Sequence, residues 1–212
     1  VDEAGKVDLN LDSYARFFED TLYAEIFLKS VVYALVTTLL CLALAYPLAM
    51  LIAKSPKQHR NVLLLLVILP FWSNFLIRIY AWMIILGPFD LLFSRFAVIV
   101  GMVYVHLPFM ILPLYTNLEK HDPALLDAAQ DLGANAWNRF RLITLPLLRP
   151  VVAVLVIFST IWDFKIFDQI YVMASGVPDR MADTMAVAAY REGFALGHYG
   201  LASAAAVVLF LV

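Results

Sequence analysis

The side chains in this 212-residue sequence that could do chemistry are a few ionisable groups set within long apolar runs. Arg78 and His106 each stand alone in such a run, and Asp163, Lys165 and Asp168 lie towards the end of another. On insertion scales a charge at the centre of a bilayer costs about 2.5–3.5 kcal/mol, so residues of this kind usually face a cavity or a partner. Their expected chemistry is the recognition of polar or charged groups inside a membrane.

We predict that some of these residues and their polar or aromatic neighbours line a central path for a solute: Trp72, Asn74, Arg78, Asp163 and Lys165. Aromatic faces in such a path can stack on a sugar or hold a cation. At about 1.5 Å per helical residue, Arg78 lies about 24 Å and Asp163 about 20 Å from the inner ends of their runs, so the two could share one level. The alternative is that Arg78 extends to the outer headgroups and that Lys165 pairs with Asp168 on the same helix.

His106 and the two aspartates allow further interpretations. His106 could act as a proton relay, but a histidine hydrogen-bonded to a neighbouring helix is the more common arrangement and the one we favour. Asp163 and Asp168 could serve an intramembrane enzyme, but their spacing corresponds to about 140° around a helix. The two carboxylates would not converge on one bond, which disfavours that activity.

The elements that must position these residues are membrane-spanning helices. Hydrophobic residues make up 63% of the chain and charged residues 15%, against about 45–50% and about 25% in soluble domains. A span needs about 20 mainly apolar residues, and four segments qualify: residues 30–53, 62–86, 96–118 and 150–173. Residues 200–212 are interpreted as a truncated fifth span. The predicted fold is all-α, a polytopic membrane helical bundle of about five transmembrane helices with a cytoplasmic coupling-helix loop.

The composition also argues against several functions. The chain has 15 Lys and Arg against 17 Asp and Glu, a formal charge of -2, and so no basic footprint for nucleic acid. Cys41 is the single cysteine, so neither a disulfide nor a cysteine-based metal site is expected. Phosphate-loop, zinc-protease and nucleophile-elbow motifs are missing from the sequence. We expect no catalytic site, metal or cofactor in this chain, so any ATP must be bound by a partner subunit.

Basic residues set the orientation of the spans. Lys54, Lys57 and Arg60 form the tightest basic cluster, which we place in the cytoplasm. The acidic start of the chain lacks a signal-peptide pattern, which favours a chain that begins within a longer protein. The resulting assignment is an external N-terminal segment at residues 1–25, a membrane domain at 26–212, cytoplasmic loops at 54–61 and 119–149, and an external connection at 174–199.

The second cytoplasmic loop contains signals for a short helix. Asp122 can cap it, Pro123 suits its first position, and Gly133 is placed to end it in a left-handed conformation. Its apolar residues share one face: Leu125, Ala129 and Leu132. After a second short stretch, residues 136–143, two prolines are expected to close the loop and begin the next span, Pro146 and Pro150. Isolated helices below about 12–15 residues are marginal in water, so this one must pack against a partner or lie on the membrane surface.

Seven residues of this loop have a characteristic spacing: Asp127, Ala128, Ala129, Gly133, Ile143, Leu145 and Pro146. The spacing resembles the cytoplasmic motif of type I ABC importer permeases, approximately E-A-A-x3-G-x9-I-x-L-P. Asp127 replaces the usual Glu and keeps its charge. In that family the short helix docks on a separate ATP-hydrolysing subunit, and the resemblance implies an ATPase-coupling role for these seven residues.

The resemblance also implies an assembly in the bacterial plasma (inner) membrane. The expected partners are a cytoplasmic ABC ATPase dimer, a second permease subunit that is identical or homologous, an external solute-binding protein and membrane lipid. Residues 174–199 would meet the binding protein. No nucleic-acid partner is expected.

Two kinds of permease contribute to the resemblance. Residues 69–80 and 107–115 are similar to spermidine/putrescine permeases, whereas residues 162–172 and 199–204 look more like carbohydrate permeases. We favour a polyamine as the solute, with a carbohydrate as the alternative. The chain departs from the family because the usual first crossing is absent and the external connection at residues 87–95 is short.

Two hypotheses from other classes stand beside the importer. The first is an ion-coupled secondary transporter or channel in which Arg78, His106 and Asp163 form an ion path without an ATPase. The second is a designed or truncated chain that inserts in the membrane and assembles with nothing. Co-purification with an ATPase subunit would separate the importer from both.

Overall fold

A computed structural model describes residues 11–89, 91–92, 94–174 and 184–211. These residues are mainly helical and contain no strand, which confirms the all-α prediction for the described part of the chain. Short 3₁₀ or π segments adjoin several of the helices. The α-helices are α1 (Asp12–Glu19), α2 (Thr21–Lys54), α3 (Lys57–Ile68), α4 (Phe75–Leu86), α5 (Arg95–Glu119), α6 (Pro123–Asp131), α7 (Ala136–Arg139), α8 (Leu145–Lys165), α9 (Asp168–Ala174), α10 (Met185–Tyr190) and α11 (Tyr199–Leu211).

Three helical stretches of the described chain are long and apolar enough to cross a membrane: Thr21–Lys54, Arg95–Glu119 and Ala136–Lys165. A fourth crossing is added if the bent pair Lys57–Trp72 and Phe75–Phe89 forms one span. α11 is apolar but has 13 residues, which is short for a crossing. The predicted polytopic bundle is therefore confirmed, although two of its spans differ in shape from the prediction.

The centre of the bundle is the contact of α2 with α5 and α8. One side of α2 carries small residues that are fully buried: Ala34, Cys41, Ala45 and Ala49. Small residues let helix backbones approach closely, which is a main source of helix association inside a bilayer. Larger buried side chains of α5 and α8 fill the remaining space: Met110, Ile111, Leu114 and Leu148. These three helices form the frame that positions the other elements.

The second predicted span, residues 62–86, is not one helix. α3 ends at Ile68, a 3₁₀ turn follows at Leu69–Trp72, and α4 begins at Phe75. The two helical parts are bent by 96° relative to each other. The structure therefore corrects a straight crossing to a broken span or a re-entrant loop.

Local residues explain this bend. Pro70 has no backbone N–H to continue a helix. The side chain of Asn74 accepts the N–H of Leu76 at 2.8 Å and so caps the start of α4. The straight helix assumed in the predicted depth of Arg78 is consequently wrong.

The fourth predicted span, residues 150–173, begins and ends earlier in the sequence than predicted. Helical structure is continuous over Ala136–Lys165, through a π segment at Phe140–Thr144. Pro146 lies in the first turn of α8 and Pro150 lies inside it, so neither residue begins the span. The loop that carries α6 is thus joined directly to a helix that is long enough to cross.

A separate cluster of buried hydrophobic side chains lies at the N-terminal end of α2, opposite the end that carries Lys54. It joins α1, α10 and α11 to the first turns of α2 through Phe17, Tyr23, Ile26, Met185, Ala188 and Ala205. Residues 1–10 of the predicted external segment and residues 175–183 of the predicted external connection lie outside the described residues. The division into residues 1–25 and 26–212 stays a prediction.

Candidate functional site

The short helix expected in the second loop is present as α6 and has the predicted ends. Asp122 Oδ1 accepts the N–H of Ala124 at 2.9 Å, and a proline occupies the first helical position. At the other end Gly133 has a φ of 81°, a left-handed conformation that favours glycine. The N–H of Ala134 donates to the carbonyl of Ala129 at 2.9 Å, which completes a Schellman-type ending. Capping chemistry thus fixes both ends of the helix.

The apolar face of α6 is uncovered in the described chain. Leu125 is 51% exposed and Leu132 is 89% exposed. Asp127 and Ala128 are also exposed, and Ala129 is half-buried. A helix of 9 residues with exposed leucines gains little stability from its own chain. Its geometry is that of an element that docks on another surface.

Contacts on the C-terminal side connect α6 to the bundle. Arg139 Nη1 donates to Gln130 Oε1 at 2.7 Å and so ties α7 to α6. The ring of Phe140 contacts both Trp137 and Tyr46 of α2, with centroid distances of 5.6 and 5.1 Å. A displacement of α6 would therefore reach both α2 and the start of α8.

The last three motif residues lie at this junction. Ile143 is half-buried in the π segment, Leu145 is the first residue of α8, and Pro146 is exposed beside it. They are separate from the exposed face of α6. Their positions suit the shaping of the junction between the loop and the span.

On the N-terminal side of α6, Arg60 of α3 bridges two helix ends. Its Nη1 atom lies 2.5 Å from Glu119 Oε1, at the end of α5. Its Nη2 atom donates to the carbonyl of Ala53 at 2.9 Å and lies 3.4 Å from the carbonyl oxygen of Ser55, at the end of α2. The loops at residues 54–61 and 119–149 are thus on the same end of the bundle, as the charge pattern predicts.

Three of the predicted path residues lie on the bent span. Trp72 is 78% exposed on the 3₁₀ turn, and Asn74 is exposed at the start of α4. The guanidinium carbon of Arg78 lies 5.8 Å from the ring centroid of Phe71 and 5.6 Å from that of Phe75. This arrangement is a cation–π contact on both sides of the bend.

Asp163 is in a different place, buried where α2, α5 and α8 meet. It is 1% exposed, and its Oδ1 atom lies 2.9 Å from Nδ1 of His106. Thr38 of α2 donates to its Oδ2 atom at 3.4 Å. The same His106 Nδ1 lies 3.1 Å from the carbonyl oxygen of Met102, whereas Nε2 has no hydrogen-bond partner. His106 therefore contacts a neighbouring span, which agrees with the interpretation that we favoured for it.

Lys165 and Asp168 do not share a helix. α8 ends at Lys165, Ile166 has an extended backbone, and Asp168 begins α9. The Lys165 Nζ atom lies 6.0 Å from the ring centroid of Phe210 in α11. The spacing arguments that assumed one helix, for a Lys165–Asp168 pair and for the angle between Asp163 and Asp168, are therefore wrong.

A cavity of about 570 Å³ lies between α5 and α8. Three aromatic rings line it beside proline and aliphatic side chains, with Trp162 6.2 Å from Phe109 and 5.7 Å from Phe158 between ring centroids, and His106 also belongs to the lining. A neighbouring cavity of about 400 Å³ includes Trp162 together with Lys165 and Asp168. Sequence reasoning missed Phe109, Phe158 and Trp162, although the four-residue spacing of Phe158 and Trp162 on one helix was a usable signal.

The five predicted path residues consequently do not form one cluster in the described chain. Trp72, Asn74 and Arg78 belong to the bend, Asp163 is enclosed by three spans, and Lys165 is exposed at the end of α8. Among the described residues, no group of three His, Cys, Asp or Glu side chains is placed to hold a metal ion.

The chain is similar to known membrane transport proteins. A family model described as "Binding-protein-dependent transport system inner membrane component" matches residues 45–212. The spermidine/putrescine transport system permease protein PotB of Salmonella typhimurium (strain SL1344) is 44% identical over 162 residues, which cover 68% of this chain and 56% of that protein. The chain thus spans little more than half the length of this relative.

More distant similarities cover more of the chain. The diacetylchitobiose uptake system permease protein DasB of Streptomyces coelicolor is 28% identical over 225 residues, covering 95% of this chain and 68% of that protein. A chain in the crystal structure of a bacterial alginate ABC transporter, in complex with an alginate pentasaccharide-bound periplasmic protein, superimposes with a TM-score of 0.77 at 20% identity. That match covers 96% of this chain and 80% of the other, and it confirms the fold.

Proposed function

The chain belongs to the family of binding-protein-dependent transport system inner membrane components, and on that premise we propose that it is the membrane-spanning permease subunit of an ATP-binding-cassette importer. The observation that carries the proposal is α6, a short helix with capped ends and an exposed apolar face next to two spans. A helix of this kind needs a partner surface. That surface belongs to a separate ATPase dimer, and this chain catalyses no reaction itself.

The motif residues divide into two roles in this proposal. Asp127, Ala128 and Ala129 contact the ATPase, and Gly133 ends the docking helix in the conformation that the contact requires. At the junction with α8, the movement of the ATPase passes into the span through Ile143, Leu145 and Pro146. Support for this division comes from the exposure of Asp127 and Ala128 and from the position of the second group.

The solute path requires the three central spans to separate. Asp163 is enclosed by α2, α5 and α8 in the described conformation, so a solute meets it only after these helices move apart. A second polar site on the path lies at the bend and consists of Trp72, Asn74 and Arg78. A third is Lys165 at the end of α8. Alternation between outward-open and inward-open forms would expose these polar sites in turn.

A second permease subunit and an external solute-binding protein complete the assembly. The aromatic cavity between α5 and α8 is open on one side of the single chain, with Phe158 56% and Trp162 49% exposed. We propose that the second subunit covers this side and that the solute passes between the two. The assembly lies in the bacterial inner membrane with its binding protein on the outer side.

A polyamine is the favoured solute. PotB, a spermidine/putrescine transport permease, is the relative with 44% identity, whereas DasB, a diacetylchitobiose permease, has 28%. Aromatic rings next to a carboxylate suit an alkylammonium chain through cation–π contacts, and aromatic rings alone suit a sugar. Uptake of radiolabelled spermidine and of diacetylchitobiose, measured in one strain that lacks its own carriers, would separate the two solutes.

The direct test is co-purification in detergent with an ATPase subunit. We expect the wild-type chain to bring down a stoichiometric ATPase and the Leu132→Asp variant to lose it, because the substitution places a charge on the exposed apolar face of α6. Gln58→Asp is the matched control, since it adds the same charge at an exposed position on the same end of the bundle. Solute uptake that follows the proton gradient and ignores ATP depletion would instead support a secondary transporter.

A further inference from the structure

The side chain of Arg60 contacts the ends of two other helices, and the proposed function assigns no role to these contacts. Its guanidinium connects the end of α2, through the carbonyls of Ala53 and Ser55, with the end of α5, through the Glu119 carboxylate. Arg60 itself belongs to α3, the first half of the bent span. One side chain thus joins three helices at the end of the bundle that carries α6.

Charge explains why arginine suits this position. The last carbonyls of a helix carry partial negative charge and lack intrahelical partners. The planar guanidinium can donate to those carbonyls and to a carboxylate at the same time. Because the Arg60 and Glu119 side chains are 20% and 44% exposed, the ion pair contributes little to stability. Its value lies in the geometry that it fixes.

The remaining attachments of α3 are weak. No residue of α3 is fully buried, and its packing on the core uses the partly buried side chains of Leu63, Leu64 and Val67. At the other side of the ion pair, only Lys120 and His121 separate Glu119 from Asp122, the cap of α6. The pair is therefore the short polar connection between α6 and the bent span.

We infer that Arg60 is a positioning residue that transmits the movement of α6 to the bent span through Glu119. When the ATPase displaces α6, Glu119 moves with it and Arg60 follows, together with the start of α3. The bend that carries Trp72, Asn74 and Arg78 then shifts relative to α2 and α5. This inference rests on the proposed function, because it assumes an ATPase on α6.

The test is the ratio of solute uptake to ATP hydrolysis in proteoliposomes that contain the complete transporter with its ATPase, with radiolabelled spermidine as the probe. We expect Arg60→Gln and Glu119→Gln each to lower this ratio at least five-fold while the complex and its ATPase activity persist. Arg60→Lys, which keeps the positive charge and N–H donors for the carbonyls and the carboxylate, should retain at least half of the wild-type ratio. Lys57→Gln, an exposed basic residue one turn earlier on α3, should leave it unchanged.

The outcomes separate this inference from the proposed function. Unchanged uptake per ATP in both single variants would overturn the positioning role, and so would a loss of uptake that merely matches the loss of bound ATPase. A wild-type chain that binds no ATPase would overturn the proposed function itself. A reduced ratio with an intact complex in both Gln variants, together with a largely retained ratio in Arg60→Lys, would support the inference, because a loss of packing alone would also weaken the complex.

Discussion

Nδ1 of His106 lies 2.9 Å from the carboxylate of Asp163, so α5 and α8 are joined by two ionisable side chains that are 3% and 1% exposed. Thr38 adds a contact from α2. Removing either partner leaves the other buried with one polar contact fewer, since Asp163 keeps Thr38 and His106 keeps the Met102 carbonyl.

The first prediction concerns this pair. We expect His106→Leu to destabilise the protein by about 1–3 kcal/mol, the usual cost of leaving a buried polar group without one of its partners. The double variant His106→Leu/Asp163→Leu should recover much of that loss, since no unpaired polar group remains. Thermal unfolding in detergent measures both effects. If the loss in the double variant equals the sum of the losses in His106→Leu and Asp163→Leu, the two residues are not energetically coupled.

The second prediction concerns the end of α6. Gly133 has a φ of 81°, so we expect Gly133→Val to strain the backbone by about 1–3 kcal/mol and to disturb the docking helix. Transport should be abolished while the amount of protein in the membrane stays the same. Gly87→Val is the control, because a Cβ at Gly87 meets nothing within 4 Å and its φ is not positive. Normal transport by the Gly133 variant would contradict the coupling role of α6.

A third prediction tests the close approach of α5 and α9. A Cβ on Gly101 would collide with the buried side chain of Gln169 and lie 2.9 Å from Met173 Sδ. We expect Gly101→Ala to cost about 1–3 kcal/mol through overpacking. Gln169→Ala in the same chain should relieve most of this cost. If the two substitutions act additively in thermal unfolding, the contact is absent.

The fourth prediction concerns the aromatic cavity. Removing the ring of Trp162 takes away a wall shared by both cavities beside α8. If the solute is a cation in this space, we expect Trp162→Ala to raise the KM for spermidine several-fold, because a cation–π contact contributes about 0.5–2 kcal/mol. Uptake kinetics in proteoliposomes provide the measurement.

Trp82 is the matched control for that experiment. Its ring packs on Tyr104 at 5.5 Å and lies away from the cavity residues. Trp82→Ala should leave the KM for spermidine near the wild-type value. Equal effects of the two tryptophan variants would indicate a general loss of packing instead of a solute site.

Local signals made some elements predictable from the sequence. The ends of α6 follow from Asp122 and Gly133, whose caps are fixed by residues within one helical turn. The bend at residues 69–74 was missed because hydropathy runs unbroken through it, although Pro70 and Asn74 were signals of a helix boundary. Hydropathy gives the length of an apolar run but contains no information on whether the helix axis changes direction within it.

The contacts between helices were beyond sequence reasoning. Arg60 and Glu119 are separated by 59 residues, and their meeting depends on how α2, α3 and α5 pack. His106 and Asp163 were each recognised as unusual at membrane depth, yet nothing in their spacing along the chain pairs them. Such pairs are determined by tertiary packing, which a single sequence does not specify.

The unbroken helical stretch Ala136–Lys165 has a mechanical consequence. Its 30 residues measure about 45 Å at about 1.5 Å per residue. Because the stretch starts beside α6 and ends two residues after Asp163, a tilt of about 10° at the end next to α6 would move its far end by about 8 Å. A small movement at the base is thereby enlarged into a displacement of several ångströms near Asp163.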